Sequence, residues 1–267
     1  MYDGGPSSTP LAGLEVLGPL DPPDTLAARH PTLGPCVIQR FDGPDAPTAA
    51  EQRSLPLVRA HGRGILPGIK RTLGVMPTTS GGWCLVTSFL PGVSLDRAER
   101  SRFREAPRTL GELGIALLHI LEGLHRRRIV HGRIAARHVI IGSTVGLVGL
   151  GEPGTAMPAD DLRAVGALLY ELATGEPHAP GAPSVFSQRP ELGRALDEWL
   201  DELNRGSFED AAEARAFLHA VTGSLPPAGE LPRARIDSST RPTFRSPSQG
   251  GSESLTPPSS EMQARIA

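Results

Sequence analysis

The amino-acid sequence predicts an α+β fold, in which a small β-rich part precedes a mainly α-helical part and a disordered tail. Short alternating runs such as residues 14–20 and 35–41 lie in the first third of the chain and are typical of strands. Apolar residues then recur at helical spacing over 110–124, and 161–174 is apolar almost all round. From about residue 224, Pro, Ser, Thr and Arg dominate, which predicts disorder.

The β-rich part is expected in residues 14–91, after a flexible arm at 1–13. Residues 21–34 are rich in proline and turn-forming residues and are predicted to form a loop. Residues 49–60 carry a weak helical signal, and Pro56 is expected to break that helix because proline lacks a backbone N–H. Two more strands are predicted on either side of a Gly-containing turn, in residues 64–76 and 82–90.

The helical part is expected in residues 92–223. Its surface helix is followed by the buried helix at 161–174, with Gly175 placed to end it. A further helix is marked by apolar residues at helical spacing, namely Leu192, Leu196, Trp199, Leu200 and Leu203. Ser207 is predicted to be the N-cap of the last helix, because serine is a favoured N-cap and acidic residues follow it.

The composition excludes several classes of protein. A net charge of -2 over 267 residues gives no global field that would favour nucleic acid. No apolar run reaches the ~18 residues of a membrane span, and the N-terminus lacks the basic and apolar regions of a signal peptide. Cys36 and Cys84 lie in apolar strand-like runs without the spacing of a disulfide framework or a metal site. Buried thiols in a reducing cytoplasm are therefore expected.

An ordered series of motifs lies in the helical part. The segment "LHRRRIVHGRIAARHVIIGSTVGLVGLGEPG" precedes "DDLRAVGALLYELATG", so a helix leads into a polar loop at His131, two short apolar segments and a buried helix. This order resembles the large lobe of the Ser/Thr protein kinase family. "HGRIAARHVII" stands in the place of H-R-D-L-x-x-x-N, and "LVGLGEPG" in the place of the strand ending in D-F-G. The resemblance covers residues 14–222 and implies a two-lobed protein kinase-like fold with a small β-rich N-lobe and a mainly α-helical C-lobe.

The resemblance places unsuitable residues at the family's catalytic positions. Phosphoryl transfer relies on positioning and on charge neutralisation by Mg²⁺. Arg133 replaces the Asp that orients the substrate hydroxyl, and a guanidinium cannot accept a proton. Gly149 replaces the metal-binding Asp, which removes an oxygen ligand that Mg²⁺ needs. The loop Lys, the second metal-binding Asn and the ATP-binding Lys are replaced by Ala135, His138 and Gln39.

Residues at the family's packing positions are largely kept. The resemblance implies structural roles for His131, Leu150, Gly151, Asp161 and Gly166. Asp161 is expected to hold the backbone of the loop from the start of the buried helix. Only nine residues separate Gly151 from Asp161, without an A-P-E motif, so the activation segment is shortened. The split between lost catalytic and kept packing positions favours a degenerate kinase.

The leading hypothesis is a catalytically inactive pseudokinase that needs no metal or cofactor and acts in signalling or scaffolding. Its expected partner is a protein, such as an active kinase or a phosphopeptide-binding domain. One alternative is a divergent active Ser/Thr kinase that binds ATP and uses Glu152 or Asp160. Another is a metal-independent nucleotide or anion sensor, and a third is an interaction domain unrelated to kinases.

Two further features bear on regulation. The favoured role of Arg133 is to pair with a nearby carboxylate such as Glu152 and fill the cleft. The alternative is that Arg133 and Arg137 form an anion site. The larger arginine cluster, which includes 126–128, could also simply complement the dipole of a helix end. The tail at 224–267 is predicted to be either an inert linker or a regulatory segment accessible to modification. It carries four hydroxyl residues beside Arg or Pro at which phosphorylation would add negative charge: Thr240, Thr243, Ser246 and Thr256.

Overall fold

The computed structural model describes residues 13–20, 24–78, 81–100, 103, 106–150 and 156–224. The described residues divide between two compact units. One contains residues up to Val58 together with Lys70–Phe89, and the other contains Arg59–Ile69 and the residues from Leu90 onward. The predicted flexible arm and disordered tail lie outside the described residues, apart from Gly13 and Ser224.

The first unit is built on an antiparallel sheet of five strands. The strands are β1 (Glu15–Pro19), β2 (Thr25–His30), β3 (Gly34–Phe41), β4 (Thr72–Pro77) and β5 (Trp83–Ser88). Their order in the sheet is β1-β2-β3-β5-β4. One core on this sheet consists of small and medium apolar side chains from three strands: Ala28, Cys36, Ile38, Cys84 and Val86. Both thiols are therefore buried, as the sequence predicts.

Strand β2 corrects the prediction of a loop at 21–34. Residues 25–30 pair with both neighbours, and Ala28 lies opposite Cys36 of β3. The segment has modest intrinsic strand propensity, but burial between two strands decides its conformation. His30 Nδ1 then accepts hydrogen bonds from the N–H groups of Thr32 (3.2 Å) and Leu33 (3.1 Å), which holds the turn into β3.

Helix α1 (Ala46–His61) corrects the prediction that Pro56 breaks this segment. Pro56 lies inside the helix. Ala50 and Ala60 are both fully buried, one on each side of the proline. Tertiary packing of the helix on both sides offsets the single backbone hydrogen bond that proline cannot donate.

The second unit contains the remaining elements. Its helices are α2 (Pro107–His125), α3 (Pro158–Thr174), α4 (Val185–Gln188), α5 (Arg194–Arg205) and α6 (Ala211–Ser224). A small sheet joins β6 (Val93–Ser94), β7 (Val139–Ile141) and β8 (Val145–Leu147). Gly175 adopts the left-handed conformation and ends α3, as predicted.

The helices of the second unit surround a continuous apolar core. Trp199 is fully buried, and its Nε1 donates to the Ala214 carbonyl at 3.0 Å, which ties α5 to α6. A Cβ on Gly114 of α2 would lie 2.7 Å from Leu218 Cδ2, so this glycine permits the close approach of α6. These contacts form the rigid support on which the polar loop after α2 rests.

The N-cap of α6 is Asp210, and the prediction of Ser207 is wrong. Asp210 Oδ1 accepts hydrogen bonds from the N–H groups of Ala212 and Glu213, both at 2.8 Å. The Ser207 N–H instead donates to the Glu202 carbonyl at 3.0 Å. Ser207 therefore belongs to the end of α5, and an aspartate three residues later supplies the acceptor that the next helix needs.

Candidate functional site

The polar loop at residues 131–138, called the HGR loop below, is fixed at its start by Asp161. Asp161 Oδ2 accepts from the His131 N–H at 2.8 Å, and Oδ1 accepts from the Gly132 N–H at 2.7 Å. The carboxylate is only 1% exposed. It lies in the first turn of α3, where the helix dipole favours an anion. Two short hydrogen bonds to a buried charge hold the loop backbone firmly.

His125, the last residue of α2, also bonds to this carboxylate. Its Nε2 lies 2.9 Å from Asp161 Oδ2, so α2, the HGR loop and α3 meet at one side chain. Helical periodicity only places His125 near the polar end of α2. The sequence therefore gives no signal for this contact, which depends on where α3 lies in space.

His131 is fully buried and serves as a neutral structural side chain. Its Nδ1 accepts from the Arg133 N–H at 3.3 Å, and its Nε2 donates to the Val148 carbonyl at 3.1 Å. A second ring proton would face the Arg133 N–H. Burial lowers the pKa of His131 to about 4, against the opposing effect of Asp161. The ring therefore carries no charge near neutral pH.

His138 and Gly149 are in direct contact at the other end of the loop. A Cβ on Gly149 would lie 3.0 Å from Cδ2 and 3.3 Å from Nε2 of His138. Gly149 has a φ of +74°, in the left-handed region. His138 Nδ1 donates a short hydrogen bond to the Arg133 carbonyl, which fixes the ring in this place. Any side chain at position 149 would therefore start against an imidazole.

The cations of the HGR loop are exposed. Arg133 and Arg137 both lie on the surface. Arg137 Nε donates to His138 Nε2 at 3.4 Å. The Arg133 guanidinium forms no hydrogen bond or ion pair with another residue in the part of the chain that the structure describes. Ala135, between them, contributes only its carbonyl, which accepts from the His138 N–H at 2.8 Å.

Comparison with solved structures decides the fold. The crystal structure of the Mycobacterium tuberculosis PknI kinase domain matches with a TM-score of 0.60 and 16% sequence identity, covering 79% of this chain and 96% of that one. The fold is protein kinase-like. No protein-family model and no curated protein matches the sequence. At this identity the likeness establishes the fold alone.

In this kinase-like fold, the predicted scaffold residues of the helical unit have identifiable contacts. Leu150 is buried. A Cβ on Gly166 would lie 2.5 Å from Asn204 Oδ1, so the glycine permits α3 and α5 to approach closely. Gly151 and Glu152 lie outside the described residues, so the predicted pairing of Arg133 with Glu152 falls there too. The described residues between β8 and α3, 148–150 and 156–157, belong to no helix or strand.

Asp160 is occupied at the N-terminus of α3. Its Oδ2 accepts from the Met157 N–H at 2.8 Å. Its Oδ1 pairs with Arg163 Nη1, also at 2.8 Å. Both carboxylate oxygens are therefore engaged, one in capping the helix and one in an ion pair within it. The alternative that assigns a catalytic role to Asp160 therefore competes with a structural one.

In the β-rich unit, the Gln39 side chain contacts the residue that precedes β2. Gln39 Nε2 donates to Asp24 Oδ2 at 3.4 Å. Glu51 is exposed on α1. The Gln39 amide therefore has a long contact with the carboxylate just before β2, and no described contact joins it to Glu51.

Lys70 lies two residues before β4, and no sequence motif points to it. It is the sole lysine of the chain. Burial, together with the nearby charge of Arg53, lowers the pKa of Lys70 to about 8. Counting lysines in the sequence would have drawn attention to this residue, but its surroundings could not have been deduced.

Within the described ranges, no group of three or more His, Cys, Asp or Glu side chains is arranged to hold a metal ion. None of the described helices is both long enough and apolar enough to cross a bilayer.

Proposed function

We propose that this chain is a pseudokinase, a kinase-like domain that binds a protein partner and does not transfer phosphate. The observation that carries the proposal is the contact between His138 and Gly149. The resemblance places these residues where kinases hold metal. In this chain a glycine without ligand atoms lies under an imidazole whose two nitrogens are already engaged.

The chemistry of phosphoryl transfer supports this reading. The reaction needs a carboxylate to orient the substrate hydroxyl and oxygen ligands to hold Mg²⁺. Arg133 offers only donors, and Gly149 offers no side-chain oxygen. Loss of one such electrostatic contribution typically costs about 3–4 kcal/mol in the barrier. Two losses in one loop, with Gln39 as a third, favour an inactive domain.

The divergent-kinase alternative has little support among the described carboxylates. Asp161 bonds to two backbone N–H groups and to His125, and Asp160 caps α3. Recruiting either for catalysis would release part of the scaffold.

The cellular setting is part of the proposal. Cys36 and Cys84 are free and buried, and burial raises the pKa of Cys84 to about 11. Inert thiols of this kind fit a reducing compartment, so we place the protein in the cytoplasm. Its role there would be signalling or scaffolding through a protein partner, such as an active kinase.

Thermal melts with nucleotide test the proposal. Adding Mg²⁺ should not increase any stabilisation that ATP gives, because the metal-holding side chains are replaced. Gly149→Asp alone should not create a magnesium effect either, because its new side chain would start against His138. Gly181→Asp is the control for the backbone cost, because that glycine has a similar φ of +81° and no atom within 4 Å of its Cβ position. A magnesium-dependent rise in the melting temperature of the wild type would count against the proposal.

A further inference from the structure

The chain segment around the HGR loop is unusually basic. From residue 123 to residue 150 the sequence has no Asp or Glu but has five arginines. The overall net charge of -2 hides this asymmetry. A local excess of cations next to the position of an active site raises the question of which of them are neutralised within the fold.

Two of the five arginines bond to residues in the last turn of α2. Arg126 Nη2 pairs with Glu122 at 2.5 Å, and Arg127 Nη1 donates to the Gly123 carbonyl at 2.8 Å. These contacts complement the C-terminal end of the helix dipole. These two arginines therefore stabilise the C-terminal end of α2. This role does not extend to the two arginines of the HGR loop.

Arg133 and Arg137 are different, because the fold presents them outward. They lie four residues apart: Arg137 is the middle residue of the short turn Ala136–His138, and Arg133 precedes that turn. His138 links them: its Nδ1 donates to the Arg133 carbonyl, and its Nε2 accepts from Arg137 Nε. This chain of contacts engages Arg137 through Nε, and no hydrogen bond or ion pair of its terminal nitrogens occurs among the described residues. Among the described residues, neither guanidinium meets a carboxylate.

The neighbouring acid cannot neutralise the pair. Asp161 is 1% exposed, and both its oxygens are bonded to the loop backbone and His125. His131 is buried and neutral, so it adds no charge of its own. The exposed charge of the HGR loop therefore comes from two arginines, whose backbone is anchored on a buried carboxylate.

We propose that Arg133 and Arg137 bind the phosphate group of a phosphorylated serine or threonine, which rests on the proposed function because the same loop would otherwise serve catalysis. A phosphate monoester carries a charge of about −1.5 to −2 and three acceptor oxygens. Guanidinium groups offer planar pairs of donors that match phosphate bidentately. A single carboxylate satisfies one such fork, whereas a phosphate can satisfy two.

Two sources can supply this group. A partner protein can carry the modified residue, or the chain itself can. Thr243 lies 19 residues after Ser224, the end of α6. A chain of that length spans at most about 65 Å when fully extended, so the tail has the reach to contact the same unit.

Peptide binding by the full-length protein tests the proposal. The probe is a fluorescent peptide of residues 236–250 phosphorylated on Thr243, compared with the unphosphorylated peptide and with a phosphopeptide of scrambled order. Fluorescence anisotropy at low and high salt gives the affinity. We expect the phosphorylated probe to bind at least tenfold more tightly than the unphosphorylated one, with loss of binding at high salt.

Substitutions connect the binding to the loop. Arg133→Gln and Arg137→Gln should each weaken binding about fivefold or more, and the double variant should abolish it. Arg205→Gln, which removes a 69% exposed arginine from α5, is the matched control and should leave binding unchanged. Preference for the native order assigns the ligand to the tail, and equal binding of the scrambled peptide assigns it to phosphomonoesters in general. Equal binding of phosphorylated and unphosphorylated peptides, or full binding by the double variant, overturns the site without bearing on catalytic inactivity.

Discussion

The ring of His138 lies against Gly149, with Cδ2 only 3.0 Å from the place where a Cβ on the glycine would stand. The two positions are therefore packed against each other. The glycine leaves room for the imidazole, and a side chain at position 149 would require the ring to shift by a few tenths of an ångström. Under the proposed function, we expect that restoring one residue alone does not restore a metal site.

Gly149→Ala should lower the free energy of unfolding by more than Gly181→Ala does. Both glycines have positive φ, +74° and +81°, so both substitutions carry a backbone cost of about 1 kcal/mol. Position 181 has no atom within 4 Å of the added methyl, whereas position 149 has His138. The excess at 149 should be about 1 kcal/mol by urea denaturation. It should disappear when His138→Ala is added, and an excess that persists in that background would contradict the contact.

Asp161→Asn should destabilise the domain strongly, by about 3 kcal/mol. The amide replaces one acceptor oxygen by an NH₂ group, which would then face an N–H donor that now bonds to the carboxylate. Urea denaturation measures the loss. Asp160→Asn is the matched control. The Asp160 carboxylate is 49% exposed, so its loss should cost at most about 1 kcal/mol. Equal effects of the two variants would show that Asp161 is not the anchor of the HGR loop.

Acid should destabilise the helical unit through His131. The pKa of His131 is about 4 in the folded state, below the ~6.5 of an unfolded histidine. Between these values the unfolded chain binds more protons, so the stabilising contribution is complete above pH 6.5 and is lost as the pH falls toward 4. The shift corresponds to about 3 kcal/mol. His131→Asn should flatten the profile of unfolding free energy in this window, and an unchanged slope would argue against a buried neutral ring.

Lys70 should titrate with a midpoint near 8 in the folded protein. Because the chain has one lysine, a sample labelled with ¹³C at lysine Cε gives a single side-chain signal for NMR titration. In denaturant the same signal should titrate near the ordinary ~10.4. The free energy of unfolding should rise with pH between these two values, because the unfolded chain then holds the extra proton. A folded midpoint near 10 would mean that the ammonium is solvated.

The order of helices and strands could be predicted from the sequence because it depends on local periodicity. The stripe at 110–124 and the apolar segment at 161–174 both lie in helices, α2 and α3. The errors arise where tertiary packing overrides local preference. Helix α1 continues past Pro56 because it is packed on both sides of the proline. Thr25–His30 forms a strand because it pairs with a strand on each side.

The site could be predicted only in part. The order of motifs singles out Arg133 and Gly149, and their correspondence to the catalytic positions of kinases stays a prediction. The contact between His138 and Gly149 could not be read, since it depends on a left-handed glycine and on the hydrogen bond of His138 to a loop carbonyl. His125 was missed for the same reason, because only the approach of α3 brings Asp161 to it.

Transfer of ³²P from γ-labelled ATP, measured with the full-length protein in Mg²⁺ or Mn²⁺, tests the central claim most directly. Generic protein substrates and the chain itself serve as acceptors, with an active Ser/Thr kinase assayed in parallel. We predict no transfer above that of a heat-denatured sample, because Arg133, Gly149 and Gln39 supply none of the groups that the reaction needs. Metal-dependent transfer that is lost in Glu152→Ala or Asp160→Ala would contradict the account and identify a divergent active kinase.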